Sequence, residues 1–363
     1  MAVLVRYSGS LSSIIKLKSV HLKYSHIRNT WSMKNKICIS HKEDVDGISS
    51  AALIKTAFDV NKVILVDYAN MIKTLRSMVS SIHDSNSRID HLFICDLGLS
   101  KKNEYEFTNI LKELIETKCK VTYIDHHDLD KKILSELKRI GVELLHSTDE
   151  CTSIHIYNKY KRKFSAYSTF IAAAAALTDY LETRPIASNL VSRFDRQFLM
   201  LEATALSYMI SSSQHDNDFL MTIVDDLTQM KYPHDIEGGF LRAERHAKKV
   251  LSVVKSIENS IVLNKNLAYV QINSELPSSM VVNFVLGTSG KPVALVYKIK
   301  EEINSCIISI RGSNECKVHL GRIVNNLSSA LSGSGGGHEK ACGAVIPKEK
   351  FAEFIKQLNK RAR

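Results

Sequence analysis

The sequence lacks any long apolar run. Its longest, Phe170 to Leu177, falls far short of the roughly 18 residues that a membrane-spanning helix requires. Such a helix is excluded, and no membrane partner is expected. Paired-cysteine spacing is also missing. The seven cysteines (Cys38, Cys95, Cys119, Cys151, Cys306, Cys316 and Cys342) are odd in number and form no CxxC. Several lie in apolar runs such as Phe93-Ile94-Cys95, so they read as small core residues in a reducing compartment, with neither a disulfide framework nor a zinc site. A cytoplasmic setting follows from this. Acids are absent from the first 33 residues, which carry Arg6, Lys16, Lys18, Lys23 and Arg28. This Ser-rich basic leader reads either as an organellar transit peptide or as residues ahead of a true initiator at Met33. Under both readings 1–33 stands outside the fold, and organellar import stays open. The single tryptophan, Trp31, falls there, so tryptophan stacking has no part in the expected site.

What is present looks like an ordinary globular chain. With 363 residues, 44% hydrophobic and 24% charged, two domains joined by a helical connector are expected. The net charge is +11, and about +6 remains beyond the leader, a bias that suits a polyanionic partner. No internal repeat is visible.

From Lys36 onward, runs rich in Ile, Val, Phe and Tyr alternate with segments whose apolar spacing is nearer 3.6. The spacing predicts strands over 36–40, 62–67, 91–95 and 120–124, and helices over 48–58, 70–82 and 102–117. Strands alternating with helices imply a parallel sheet with crossovers. No convincing strand appears between Asp149 and Ile261, where helices are expected over 165–181, 192–211, 216–230 and 239–260. A second α/β block begins near Leu267. It has a strand over 268–272, a Pro-started helix over 277–286 and a strand pair over 292–298 and 303–311. A helix over 317–331, a Gly/Ser loop over 332–337 and a terminal helix over 348–361 complete it.

The acids and histidines fall where these strands end. His41, Asp44 and Asp46 follow the first strand, and Gly47 opens the next helix. Asp96 follows Leu92–Cys95, and Asp125-His126-His127 follows Val121–Ile124. One strand-end Asp is commonly a helix cap. Three such ends, two of them clusters, are hard to explain that way, because open parallel sheets place their sites at the carboxyl ends of strands. Carboxylates converging there repel one another and take up protons unless cations compensate. Oxygen ligands mixed with imidazole suit manganese first and magnesium as the alternative, and a paired-metal site needs one bridging carboxylate.

The strings DVDGISS, FICDLG, YIDHHD and GGGHEKACGA, in this order, resemble the DHH phosphoesterase superfamily with a C-terminal DHHA1 domain. That group includes RecJ-type exonucleases and the oligoribonuclease/pAp-phosphatase branch. The resemblance implies an α/β fold: a parallel-sheet DHH domain over 34–182, a helical connector over 183–263 and a smaller α/β DHHA1 domain over 264–363. It also implies two divalent metal ions. His41, Asp44 and Asp96 would hold one; Asp46, Asp96, His126 and a later Asp would hold the other, with Asp96 bridging. The later Asp is taken as Asp179, which ends the run Ala172–Leu177, with Asp149 as its rival. The catalytic roles would fall to Asp125, orienting His126, and to His127, facing the phosphate. His41 is a departure in the family pattern, since other members do without it. On its own it reads equally as a histidine hydrogen-bonding at a strand end.

In the C-terminal block, Gly335, Gly336 and Gly337 could turn backbone N–H groups towards an anion, although a glycine run alone is usually a flexible connection. His338 follows directly, and Arg311 ends the strand over 307–310, offering a planar fork for phosphate. By resemblance both would grip the substrate. Alone, Arg311 reads as a surface ion pair with Glu301 or Glu302. The basic run Lys159–Lys163 reads as a solvated helix end or a phosphate-tracking rim. The isolated His83, His91, His146, His155 and His215 receive no role.

The implied activity is hydrolysis of phosphate esters by a water activated between two metals. Short single-stranded RNA or DNA, or small nucleotides such as pAp and cyclic dinucleotides, are the expected partners. Pyrophosphate fits less well, because superfamily pyrophosphatases carry a different C-terminal domain. The alternative is a non-catalytic DHH-fold nucleic-acid-binding protein or replication scaffold, whose mark would be eroded metal ligands; here the acids and the histidine pair are present. Monomer and homodimer are both open.

Overall fold

The computed structural model describes residues 35–85, 88–274 and 276–362. The expected leader over 1–33 lies outside the described residues. The first sheet comprises β1 (Lys36–His41), β2 (Lys62–Val66), β3 (His91–Cys95), β4 (Lys120–Asp125) and β5 (Glu143–His146). All pairs are parallel, in the order β2-β1-β3-β4-β5. The crossovers are α1 (Val45–Phe58), α2 (Met71–Ser85), α3 (Glu104–Glu116) and α4 (Lys131–Arg139).

Strand alternation builds two cores on the two faces of this sheet. Ile37, Ile39, Leu92, Ile94, Val121 and Tyr123 face α2 and α3. Cys38, Phe93, Cys95 and Ile124 face α1 and the helices that follow it, α5 (Thr152–Lys159) and α6 (Tyr167–Thr178). Five consecutive alanines, Ala172 to Ala176, are fully buried on α6, and their small side chains let it pack close against α1 and α5. The helical run continues with α7 (Pro185–Val191), α8 (Arg196–Ser212), α9 (Asn217–Thr228) and α10 (Gly239–Glu258). No strand interrupts 149–261, as the sequence implies.

The C-terminal block is a six-stranded mixed sheet. Its strands are β6 (Val262–Leu263), β7 (Leu267–Gln271), β8 (Val293–Lys300), β9 (Ser305–Gly312), β10 (Ser334–Gly337) and β11 (Ala341–Pro347), in the order β10-β11-β9-β8-β7-β6. One face is covered by α11 (Ser278–Ser289), the other by α12 (Leu320–Ala330) and α13 (Phe351–Arg361). The fold is therefore α/β, with a five-stranded parallel sheet, a helical stretch and a smaller C-terminal block built on the six-stranded mixed sheet.

One local expectation fails. The Gly/Ser segment predicted as a loop over 332–337 contains β10, an edge strand paired antiparallel with β11. It carries no β-branched residue to betray a strand. Glycine is required because φ is 152° at Gly336 and 137° at Gly337. The close approach of α12 adds to this, since a Cβ on Gly321 would collide with the carbonyl of Gly337.

Candidate active site

The parallel sheet changes its direction of winding between β1 and β3, the place where open α/β sheets hold ligands. His41 is the last residue of β1. Asp44 caps α1, its carboxylate accepting from the Gly47 N–H at 2.9 Å, and Asp46 lies in the first turn. Gly47 is obligatory, since a Cβ there would run into the His41 carbonyl. Asp96 follows β3 in a left-handed conformation, φ 57°, with its N–H bonded to Ile124 O at 3.0 Å. His126 and His127 follow β4, and Asp179 caps the C terminus of α6.

These residues meet. His41 Nδ1 lies 2.9 Å from Asp44 Oδ2 and 3.7 Å from Asp96 Oδ2. His126 Nε2 lies 3.5 Å from Asp96 Oδ1, 3.4 Å from Asp179 Oδ2 and 3.9 Å from Asp46 Oδ2. His41, Asp44 and Asp96 thus offer ligand atoms within 4.8 Å of one another, and so do Asp46, His126 and Asp179. A third such set joins Asp96, His126 and His127. Asp149 stays outside, accepting from Ser147 Oγ in the turn before α5.

Asp125 behaves differently from the expectation that it orients His126. Its Oδ1 accepts from His127 Nδ1 at 2.9 Å, and its Oδ2 from the His127 backbone N–H at 3.2 Å. The ring it fixes is therefore that of His127. With Nδ1 protonated, Nε2 accepts from the Tyr68 hydroxyl at 3.1 Å, and His146 donates to the His127 carbonyl at 2.7 Å.

Three contributors escape the sequence reading because none carries charge. The N–H groups of Thr152 and Ser153, opening α5, donate to the two oxygens of Asp46 at 2.8 Å each. The Thr152 hydroxyl donates to Asp96 Oδ1 at 3.0 Å. Tyr68, after β2, lays its ring 4.5 Å from that of His41 and 6.0 Å from that of His127. The signal for the first two was only a Thr-Ser pair at a helix start; for Tyr68 there was none.

The electrostatics call for cations. Burial, then the charges of Asp46 and Asp44, push Asp96 well above the carboxylate range. The same causes raise Asp179 to about 8. Burial alone would lower His41, yet Asp44 and Asp96 outweigh it and raise it to about 11. His126 is held down by burial, and the Tyr68 phenol is pushed up by burial and by the surrounding aspartates. Both ring nitrogens of His41 and Oδ2 of Asp179 are buried without a properly directed hydrogen bond. Crowded carboxylates that resist ionising together, beside buried ligand-type atoms without a well-directed hydrogen bond, fit divalent cations.

The C-terminal constellation is a separate group. Arg311 on β9 lies opposite Ala341 on β11, and the His338 N–H donates to Ala341 O at 2.8 Å. Arg311, Ala341 and His338 therefore fall in one row across neighbouring strands. The His338 N–H is committed to that turn, and the His338 and Glu339 carbonyls accept from Gly321 and Leu320 at the start of α12. Gly335 to Gly337 run along β10. Among the described residues no ion pair or hydrogen bond joins this row to the aspartate–histidine cluster.

Comparison with known proteins agrees with this architecture. Residues 264–363 match the DHHA1 domain family. Among solved structures, the chain is similar to the pGpG-specific phosphodiesterase PggH from Vibrio cholerae (12% identity, 91% of this chain, 99% of that chain, TM-score 0.57). It is also similar to the DHH domain of a protein described as a member of a family of ribosomal proteins (14% identity, 90% and 86%, TM-score 0.66). A third is RecJ in complex with Mn2+ from Thermus thermophilus (12% identity, 91% of this chain but 52% of that one, TM-score 0.57). At these identities the likeness is one of fold. No curated protein matches the sequence.

Proposed function

We propose that this chain, a member of the DHH phosphoesterase superfamily that ends in a DHHA1 domain, is a metal-dependent phosphodiesterase or exonuclease. Its substrates are short single-stranded nucleic acid or small nucleotides. The observation that carries the reading is the placement of Asp96, one oxygen turned to His41 at 3.7 Å and the other to His126 at 3.5 Å. Lying between the two groups, Asp96 is the carboxylate that could serve both ions of a pair.

When bound, a pair of divalent cations supplies an activated water and neutralises charge at the phosphate. Manganese is the first choice for this oxygen and imidazole set, magnesium the second. The remaining work belongs to the chain. Thr152 and Ser153 fix Asp46. Asp125 fixes His127 so that Nε2 faces the substrate phosphate. Arg311 and His338, on a lobe closing over the cleft, grip the outgoing nucleotide. A substrate of nucleotide size is supported by the likeness to PggH, whose name records action on pGpG.

The test is incubation with manganese and a panel: 5′-labelled oligoribonucleotide, oligodeoxynucleotide, pAp, cyclic di-AMP and pyrophosphate. Turnover of at least one nucleotide substrate, abolished in Asp96→Ala while the circular dichroism spectrum is kept, is the expected result. Manganese-dependent turnover surviving in that variant would overturn the assignment. No turnover and no manganese-induced rise in melting temperature would leave the scaffold alternative.

A further inference from the structure

Four aromatic side chains stand exposed among the described residues, Tyr68, Tyr105, Tyr180 and Phe240. Two of the four adjoin the metal-type cluster. Tyr180 directly follows Asp179, is 79% exposed and holds a left-handed backbone, φ 59°. Tyr68 is 38% exposed, and its ring contacts are with His41 and His127. An aromatic face left in water beside a phosphate site is costly to keep unless something covers it, and every nucleobase has a matching π-face.

Tyr68 is also fixed in place. Its hydroxyl donates to His127 Nε2 at 3.1 Å, and Asp125 holds the other ring nitrogen. The turn it stands on is tied down as well: Asp67 accepts from the Asn70 N–H at 2.8 Å and faces Lys42 Nζ at 3.6 Å. A ring anchored at its hydroxyl end, with one side against His41, presents its remaining surface as a rigid platform. The hydroxyl occupies the His127 nitrogen that faces phosphate in the reading above.

We infer that Tyr68 is a specificity-determining residue: its ring stacks the nucleobase next to the scissile phosphate, and its hydroxyl, anchored on His127, keeps that ring in place. The inference rests on the proposed hydrolysis for its kinetic consequence but not for the stacking itself. The ring selects substrates bearing a base, whatever the sugar. The ring supplies the stacking surface and the hydroxyl only its anchor, so the two have separable effects.

Stacking on an aromatic ring contributes about a tenfold effect or more on binding of a base. In Tyr68→Ala, KM for a dinucleotide should rise about tenfold with kcat retained within a few fold, while an abasic dinucleotide analogue should be unaffected. Tyr68→Phe keeps the platform and should hold KM near the wild-type value. An independent readout uses a dinucleotide containing 2-aminopurine, with calcium added in place of manganese. Its fluorescence should be quenched by the wild-type protein and by Tyr68→Phe, and not by Tyr68→Ala. Equal quenching by Tyr68→Ala, equal KM changes for the abasic analogue, or no binding of the probe by the wild type would each overturn the inference. Quenching without any turnover by the wild type would instead count against the hydrolase reading and leave the platform standing.

Discussion

Asp125 grips His127 twice, at the ring through Nδ1 (2.9 Å) and at the backbone through its N–H (3.2 Å). A fully buried carboxylate that fixes both the tautomer and the position of a half-exposed imidazole leaves Nε2 as the one ring nitrogen not held by Asp125. Replacing Asp125 by Asn keeps the volume but puts an amide where the ring nitrogen needs an acceptor. We expect Asp125→Asn to lower kcat about 10- to 100-fold. The nitrogen chemical shifts of His127 should show the other tautomer, and manganese affinity should change little. An unchanged kcat would show that His127 needs no such partner.

Two glycines stand so close to residues of the cluster that an added Cβ forces a neighbour to shift, with different consequences. A Cβ on Gly47 meets the carbonyl of His41, and backbone cannot step aside, so the start of α1 must move away from β1. Gly47→Ala should destabilise the protein by about 1–3 kcal/mol, measured by urea denaturation. A Cβ on Gly98 would stand 2.7 Å from Cγ and 2.9 Å from Cβ of His127, the root of a side chain that Asp125 holds twice. Gly98→Ala should therefore push His127 out of place, with kcat falling and a smaller loss of melting temperature than in Gly47→Ala. Loss of stability in both variants alike would mean that the His127 ring cannot yield.

The clustering of these acids and histidines was legible because charged residues directly after apolar strand runs have few structural excuses, and the parallel order makes those ends converge. Asp179 was different. It caps a buried alanine-rich helix, a position without any local signature, and only the family's order pointed to it. Thr152, Ser153 and Tyr68 were invisible because neutral residues act through where the fold places their N–H, O–H and ring. The β10 edge strand was hidden by glycine, whose freedom in φ looks like a loop and here serves a strand pressed against α12.

The cluster makes metal-free stability depend on pH with a defined sign. Asp179 titrates at 3.8 when unfolded and about 8 when folded, so the folded state binds its proton more tightly. Its contribution therefore falls as pH rises from about 4 to about 8. His41, raised from 6.5 to about 11, contributes stability that is complete below 6.5 and lost as pH climbs through 11. Both slopes run the same way. His126, held down by burial, works against them below pH 6.5, so in chelator the melting temperature should fall between pH 6.5 and pH 8. Manganese, which competes with those protons, should produce a larger stabilisation at pH 8 than at pH 6. A metal-free melting temperature flat over that range would remove the argument that these carboxylates are crowded.

Arg311 and His338 share a row on the C-terminal sheet, and the length of substrate they meet can be read from salt. A single strand held by several phosphate contacts loses affinity with a log–log slope of roughly −0.7 per contact. A mononucleotide makes few contacts and should give a shallow slope. If Arg311 holds one phosphate, Arg311→Ala should reduce the slope for an oligonucleotide by about 0.7. Arg311→Lys keeps the charge and should preserve the slope, but it loses the two-pronged geometry and should raise KM about tenfold. The pair of variants separates charge from shape. An oligonucleotide slope untouched by Arg311→Ala would place the phosphate-tracking surface elsewhere, and the basic run Lys159–Lys163, where Lys163 is committed to the Ala57 carbonyl and the Phe58 ring, would be the next to test.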